Sequence, residues 1–363
     1  MAKRVGVDKV LFCTTLVLVV IGLVMVFSAS AIISQGASGS PYGYLIKQAI
    51  WGVLGLAAMS VIMQMDYRKL NNPRIIFPMV AVTALLLLVV FAMPSSHGAH
   101  RWIKLGAMSL QPSEMAKPII VLFLAWFLQN KLHMINDLRS TIVPAALPSL
   151  LFVALIVKEP DLGTALVCAG VTMFMLYLAG MNMKYLVMAT AAAAPVLAYM
   201  LLFVKFRRDR ILAFLDPDRD PLGIGYHMNQ SLIAVSTGGV FGKGYMEGVQ
   251  KLYYLPESHT DYIFANISEE LGLVGALVVV ALFVVLGYRG LRTVLLTRDP
   301  FARFLAFGIT TSILIQAFFN ISVVLALVPT KGITLPFISY GGTSLFITLL
   351  SMGVLLNITR ECD

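Results

Sequence analysis

Ten stretches of this chain are so long and so apolar that each must be surrounded by lipid or by one another, which limits the fold more than any motif does. They run 11–33, 46–64, 75–93, 114–130, 141–157, 163–180, 185–204, 262–287, 303–327 and 340–358. Roughly 20 apolar residues cross the hydrocarbon of a bilayer. In that medium only helices and closed barrels satisfy their own backbone polar groups. Segments of this length read as helices, so the expected fold is an all-α polytopic membrane protein with about ten transmembrane helices. Residues 1–363 then form one membrane domain, consistent with 59% hydrophobic and only 12% charged residues. The first stretch is too long for a cleavable signal and lacks a small-residue cleavage site, so it is expected to stay as a span.

Lysine and arginine set the orientation. With the N-terminus inside, the cytosolic side receives Lys3, Arg4, Lys9, Arg68, Lys69, Arg74, Lys131, Arg139, Lys184, Arg289, Arg292, Arg298, Arg303 and Arg360. These 14 of 27 basic residues face six cytosolic acids, an excess of eight in a chain of net charge +9. That is the positive-inside pattern, with both termini cytoplasmic. The basic character therefore needs no nucleic-acid partner. Cys13 and Cys168 fall within spans and Cys362 in the tail, so no external disulfide is expected, and no Cys/His spacing suits a metal. Gly242-Lys243-Gly244 lacks the flanking residues of a phosphate-binding loop, so nucleotide hydrolysis is not expected.

Polar residues gather outside. The connection between the seventh and eighth spans, about 205–261, carries seven basic and seven acidic residues, a balance that suggests internal pairing. Loops this long are usually functional. Within it, 226–236 is apolar on one face and reads as a short interfacial helix, followed by turns at Gly238-Gly239 and Gly242–Gly244. Two further outward segments, 94–114 and 329–344, are rich in Gly and Pro and lack helical periodicity. Irregular backbone at membrane depth is tolerated only when buried in protein or lining a watery cavity.

Several charged residues here have both a bland and a chemical reading. Glu114 and Lys117 are three apart on one helical face, as a structural ion pair or as the wall of a polar cavity. Arg101 and Lys104 break the charge rule, as headgroup anchors or as ligands for an anion. Asp161 opens the sixth span as a cap or as a site residue, and Lys331 sits alone in a Pro-bounded segment. Asp261 precedes an apolar run as a cap would, yet Glu257, His259 and Asp261 fall within five residues beneath a basic loop. That is a setting for a general base beside cations that bind phosphate. His259-Thr260-Asp261 is not a hydrolase triad, because three consecutive residues cannot converge as one.

Seven motifs resemble those of the SEDS (shape, elongation, division and sporulation) peptidoglycan glycosyltransferases, the FtsW/RodA type. They are His100-Arg-Trp-Ile-Lys-Leu-Gly106, Gln111-Pro-Ser-Glu114, Glu159-Pro-Asp-Leu-Gly163, Asp220-Pro-Leu-Gly-Ile-Gly-Tyr226, Leu255-Pro-Glu-Ser-His-Thr-Asp261, Glu269-Glu-Leu-Gly272 and Pro329-Thr-Lys-Gly-Ile-Thr-Leu-Pro-Phe-Ile-Ser-Tyr-Gly-Gly342. They follow the family order from the third span to the last. Pro329-Thr-Lys-Gly332 and Gln250-Lys-Leu-Tyr-Tyr-Leu-Pro256 resemble the division branch, FtsW, more than RodA.

The resemblance implies polymerisation of lipid II, a disaccharide-peptide on undecaprenyl pyrophosphate, into β-1,4-linked glycan at the outer face of the bacterial cytoplasmic (inner) membrane. Asp261 would act as base on the acceptor hydroxyl. Lys331, Arg101, Arg207 and Arg210 would stabilise the departing pyrophosphate, and a divalent cation (Mg2+ or Mn2+) could share that work. Asp161 and Glu257 would orient those cations or help hold such an ion. Lys104, Glu114, Lys117, His259, Thr260 and Ser339, in the same motifs, complete the expected substrate site. The implied partners are a class B penicillin-binding protein, other division or elongation proteins and membrane lipids. A lipid II flippase is the alternative, and a recruiting scaffold a third reading. A transporter would carry charges through the bilayer to both faces, whereas here they gather outside.

Overall fold

The computed structural model describes residues 6–94, 100–105, 108–216, 223 and 225–361. Among them, nine helices are long and apolar enough to cross a membrane, and the shorter apolar Leu162–Leu178 makes a tenth. In chain order the helices are α1 (Lys9–Ser38), α2 (Gly43–Gln64), α3 (Pro73–Val89), α4 (Pro112–Lys131), α5 (Val143–Lys158), α6 (Leu162–Leu178) and α7 (Met183–Leu202). Then come α8 (Lys205–Leu215), α9 (Tyr226–Thr237), α10 (Ile263–Leu296), α11 (Pro300–Val324) and α12 (Gly342–Thr359). Local sequence explains where many begin. The side chains of Asp8, Asn72, Asp161, Asn182 and Asp299 each accept a first-turn amide, and Pro73, Pro112 and Pro300 need none of their own.

Helix α11 lies at the centre, packed on α4, α6 and α10, while α2 lies along α12 and α1 bridges α2 and α10. Helix α7 stands at the edge with little of its surface covered. One end of the bundle is sewn together by polar contacts. Asp8 pairs with Arg289 at 2.5 Å, and the Tyr67 hydroxyl reaches Asp299 at 3.1 Å and Glu361 at 2.8 Å. Asp261, Asp161, Arg101 and Lys331 lie at the opposite end.

Three expectations need correction. The 205–261 connection holds a second helix besides the expected α9: α8, in a stretch whose density of Arg and Lys hid it. Of the residues expected there, 217–222 and 224 lie outside the described residues, and so do His97, Gly106 and Cys362. The 94–114 segment folds partly as a hairpin, with β1 (Ile103–Leu105) antiparallel to β2 (Met108–Leu110). The eighth span is longer than 262–287 and is broken.

The break is at Gly272, whose φ of 66° and ψ of −165° leave the helical region. The backbone groups freed there are taken by the loop after α9. Lys243 and Gly244 amides donate to the Glu269 and Glu270 carbonyls (both 3.0 Å), while Leu273 and Val274 amides donate to the Gly239 and Val240 carbonyls (2.9 and 3.2 Å). Broken helix inside a bundle is tolerable only when satisfied in this way. The side chains fasten the same junction. Glu269 accepts from Lys243 Nζ (2.7 Å) and the Val249 and Gln250 amides, and Glu270 from Lys251 Nζ (2.7 Å), Ser28 and the Met246 amide. Lys243 and Lys251 of the loop therefore pair with α10, while Arg208 meets Asp209 of the loop itself at 4.0 Å. A Cβ at Gly272 would strike the Gly242 nitrogen and Val240 oxygen. Gly272→Ala is expected to cost about 2–4 kcal/mol, through strain and collision together, read as a lower thermal midpoint in detergent.

Candidate active site

At the end of the bundle that holds Asp261, two cavities adjoin. The first, about 340 Å³, is lined by Asp261, Tyr262 and Glu257 from the turn before α10, by Asp209 and Arg210 from α8, by Gly223 and His227, and by Thr330, Lys331 and Gly332. The second, about 220 Å³, is lined by Arg101, Asp161, Arg207 and α7 and α11 side chains, and shares Arg210, Thr330, Lys331 and Gly332 with the first. Arg210 and Lys331 thus form the wall between them. Phe319, on the second cavity, also lines an apolar cavity of about 720 Å³ bounded by α5, α6, α7 and α11.

Backbone geometry brings the carboxylate to this wall. Glu257 has a left-handed φ of 52°, and its carbonyl accepts the Thr260 and Tyr262 amides at 3.1 and 3.3 Å. The tight turn delivers Asp261 next to Gly332, where an added Cβ would lie 2.7 Å from Asp261 Oδ2. Only glycine lets the Lys331 loop approach so closely. Asp261 is not the cap of α10: Tyr262 occupies that place, with no side-chain bond to the helix.

Three of the cations are anchored in part through carbonyl oxygens. Arg101 donates to the Glu159 and Pro160 carbonyls (3.3 and 2.5 Å), Arg207 to Val157 (3.4 Å) and Arg210 to Thr330 (3.2 Å). No salt bridge among the described residues engages Arg101, Arg207 or Lys331. Burial pushes the Asp261 carboxyl up to about 7, with Glu257 adding to the rise and Arg101 and Arg210 opposing it. Burial, then Arg207 and Arg210, pushes Lys331 down to about 8. An acid and a base on neighbouring loops are thereby both poised near neutrality.

Asp261, Lys331, Arg101, Arg207, Arg210, Asp161 and Glu257 all face these two cavities. Asp161 also caps α6, accepting from the Thr164 amide (3.1 Å) and hydroxyl (2.8 Å). Six other expected site residues do not line them. Glu114 and Lys117 form a buried pair at 2.8 Å within α4, with Lys117 Nζ also on Gln316 at 2.5 Å. Lys104 is exposed on β1. His259 is packed edge-on against Tyr44 and tilted against Tyr340. Ser339 Oγ is spent on the Thr260 carbonyl (2.6 Å) and the Leu335 amide (2.7 Å). The Thr260 hydroxyl bonds Glu257 Oε2 at 2.9 Å, so it acts on the site through that carboxylate.

Sequence reasoning passed over Glu159. Its side chain is 0% exposed, both carboxylate oxygens lack a partner among the described residues, and burial with nearby Asp161 pushes it up to about 8. Arg101, whose charge opposes that rise, bonds the Glu159 backbone carbonyl rather than its carboxyl group. Placed directly before Pro160-Asp161, Glu159 reads in sequence as part of a helix cap. Among the described residues, the buried charged side chains (Glu114, Lys117, Glu159, Asp161, Lys251, Glu269 and Glu270) all lie toward the Asp261 end, and none forms a track to the other face.

Residues 8–363 match the family model described as "Cell cycle protein" (FtsW, RodA and SpoVE). The chain belongs to this family. It is 41% identical over 357 residues to a probable peptidoglycan glycosyltransferase FtsW from Geobacter metallireducens, covering 98% of this chain and 95% of that one. It is 40% identical over 364 residues to the stage V sporulation protein E of Bacillus subtilis, covering 99% of both. Among solved structures, a chain of a peptidoglycan synthase complex, studied for coordination of polymerization and crosslinking, superposes with a TM-score of 0.80 at 28% identity over 98% of each chain. The rod shape determining protein RodA of Thermus thermophilus superposes with a TM-score of 0.71 at 25% identity, covering 98% of this chain and 97% of that one. This FtsW/RodA/SpoVE-family protein is therefore a multi-pass membrane protein with the fold of peptidoglycan synthase components.

Proposed function

We propose that this protein is an inverting peptidoglycan glycosyltransferase, polymerising lipid II at the outer face of the bacterial inner membrane for septal wall synthesis. One observation carries the reading: a carboxyl held near neutrality by burial faces a cavity whose far wall, shared with a second cavity, carries Arg210 and Lys331, while Arg101 and Arg207 line that second cavity. The acceptor 4-hydroxyl, in the first cavity, gives its proton to Asp261 as its oxygen attacks the donor's anomeric carbon. The bond from that carbon to the pyrophosphate breaks, and the charge leaving with it is met by Lys331, Arg101, Arg207 and Arg210. The 720 Å³ apolar cavity joined through Phe319 gives the polyprenyl tail a place beside its headgroup. A lipid-linked substrate needs that adjacency, and a soluble sugar donor does not.

The positive-inside pattern supports cytoplasmic termini, with the Asp261 end outside. A class B penicillin-binding protein transpeptidase is the proposed partner, cross-linking the strand as it emerges. For Mg2+ or Mn2+, no three His, Cys, Asp or Glu side chains converge among the described residues, so such an ion would rest on one or two carboxylates and the substrate's pyrophosphate oxygens. The steps above are written through side chains alone.

A pH prediction follows from the two displaced ionisations. The base works deprotonated, so kcat/KM rises with pH through about 7, and Lys331 works protonated, so it falls again through about 8. A narrow bell between these limbs is expected with purified enzyme and labelled lipid II. Lys331→Arg, which holds its charge far above pH 8, should remove the alkaline limb and leave the acid limb in place. A flat profile from about pH 6 to about pH 9 contradicts the assignment.

A further inference from the structure

One side chain ties the backbone of the base-bearing turn to the loop that carries the principal cation. Asn320, in the last turns of α11, is 1% exposed within the apolar run Phe318-Phe-Asn-Ile321. Its Nδ2 donates to the Asp261 carbonyl at 2.8 Å and to the Ile333 carbonyl at 2.6 Å. The two N–H bonds of an amide are fixed in one plane, so the angle between them sets the separation of the two carbonyls. Four residues earlier, on the same face of the helix, Gln316 donates to the Thr334 carbonyl and hydroxyl at 3.0 Å each. Helix α11 thus grips the loop at consecutive residues, 333 and 334, and only the Asn320 rung also reaches Asp261.

The arrangement is costly for packing alone. Asn320 Oδ1 is buried with no partner among the described residues, and an orphaned buried acceptor destabilises a fold where Leu would not. We propose that Asn320 is a positioning residue, setting the spacing between the Asp261 carboxylate and the Lys331 ammonium. The proposal rests on the glycosyltransferase reading given above. Asn320→Leu removes both donors and keeps the bulk; Asn320→Asp replaces them with acceptors facing two carbonyls. Misplacing reacting groups by about 1 Å can cost about 100-fold in rate.

The experiment measures lipid II polymerisation and peptide hydrogen exchange on the purified full-length protein. Expected for Asn320→Leu is a fall in kcat of about 100-fold with KM changed less than about threefold, and faster exchange in segments 257–262 and 330–335 together. Gln316→Leu should loosen 330–335 alone. An Asn320→Leu enzyme with wild-type kcat, or with only a raised KM, or with exchange increased in just one segment, overturns the proposal. If Asn320→Leu fails to fold, Asn320→Ala, which also removes both donors, takes its place with the same criteria. The paired exchange response does not depend on which residue is the base. Loss of the base reading, shown by full activity of Asp261→Asn, is therefore distinguishable from loss of the link.

Discussion

Asp261→Asn is expected to lower glycan polymerisation by about 10²–10⁴-fold, the usual contribution of a positioned general base. The protein should still fold. The Asp261 carboxylate does not cap α10, while its backbone carbonyl remains held by Asn320, which the substitution leaves in place. The sign of the stability change is also fixed. A carboxyl raised in the folded state to about 7 binds its proton there over a pH range in which the unfolded chain has already released it. The wild-type fold therefore loses stability as pH climbs from about 4 toward about 7, a loss from which the neutral amide is exempt. At about pH 8 the variant's thermal midpoint should equal or exceed that of the wild type. An inactive but lower-melting variant would instead point to a structural role.

Lys331→Met should be nearly as damaging, about 10²–10³-fold, as expected when one preorganised charge is removed from a developing anion. Lys331 lines both cavities, which in the proposed reaction sets it between the attacking and leaving groups. Arg101, Arg207 and Arg210 share the charge but are anchored to carbonyls 159, 160, 157 and 330, and cannot slide into its place. Single-turnover polymerisation with labelled lipid II isolates the chemical step from product release. That step should slow, while detergent extraction and the thermal midpoint stay near wild type. A normal chemical step in the Lys331→Met enzyme would remove Lys331 from the reaction.

Much of this is legible in the chain itself, and the exceptions have physical causes. The spans can be read because hydrocarbon demands long apolar runs, and Asp261 and Lys331 because isolated charges beside such runs are expensive. The α10 break at Gly272 is hidden because a lone glycine within an apolar run is also compatible with continuous helix. What makes it a break is a loop about 30 residues upstream, whose Lys243 and Gly244 amides satisfy the freed carbonyls. Charge balance within the loop suggests internal pairing, yet Lys243 pairs with Glu269 and Lys251 with Glu270, partners 26 and 19 residues away. Glu114 and Lys117 do share one face, but spacing cannot tell a cavity wall from a sealed pair. Glu159 shows in the sequence only as the first residue of a family motif beside a helix cap, and Asn320 carries no signal. Each is a single polar residue whose importance lies in what surrounds it: an empty environment for one, two carbonyls from distant segments for the other.

The most direct measurement of the central claim is a gel of the glycan made from labelled lipid II by purified wild-type and Asp261→Asn protein, matched for folded fraction. The wild type should yield a polymer ladder and the variant only unreacted lipid II. Ladders of equal length and intensity from both would contradict the assignment of Asp261 as the base.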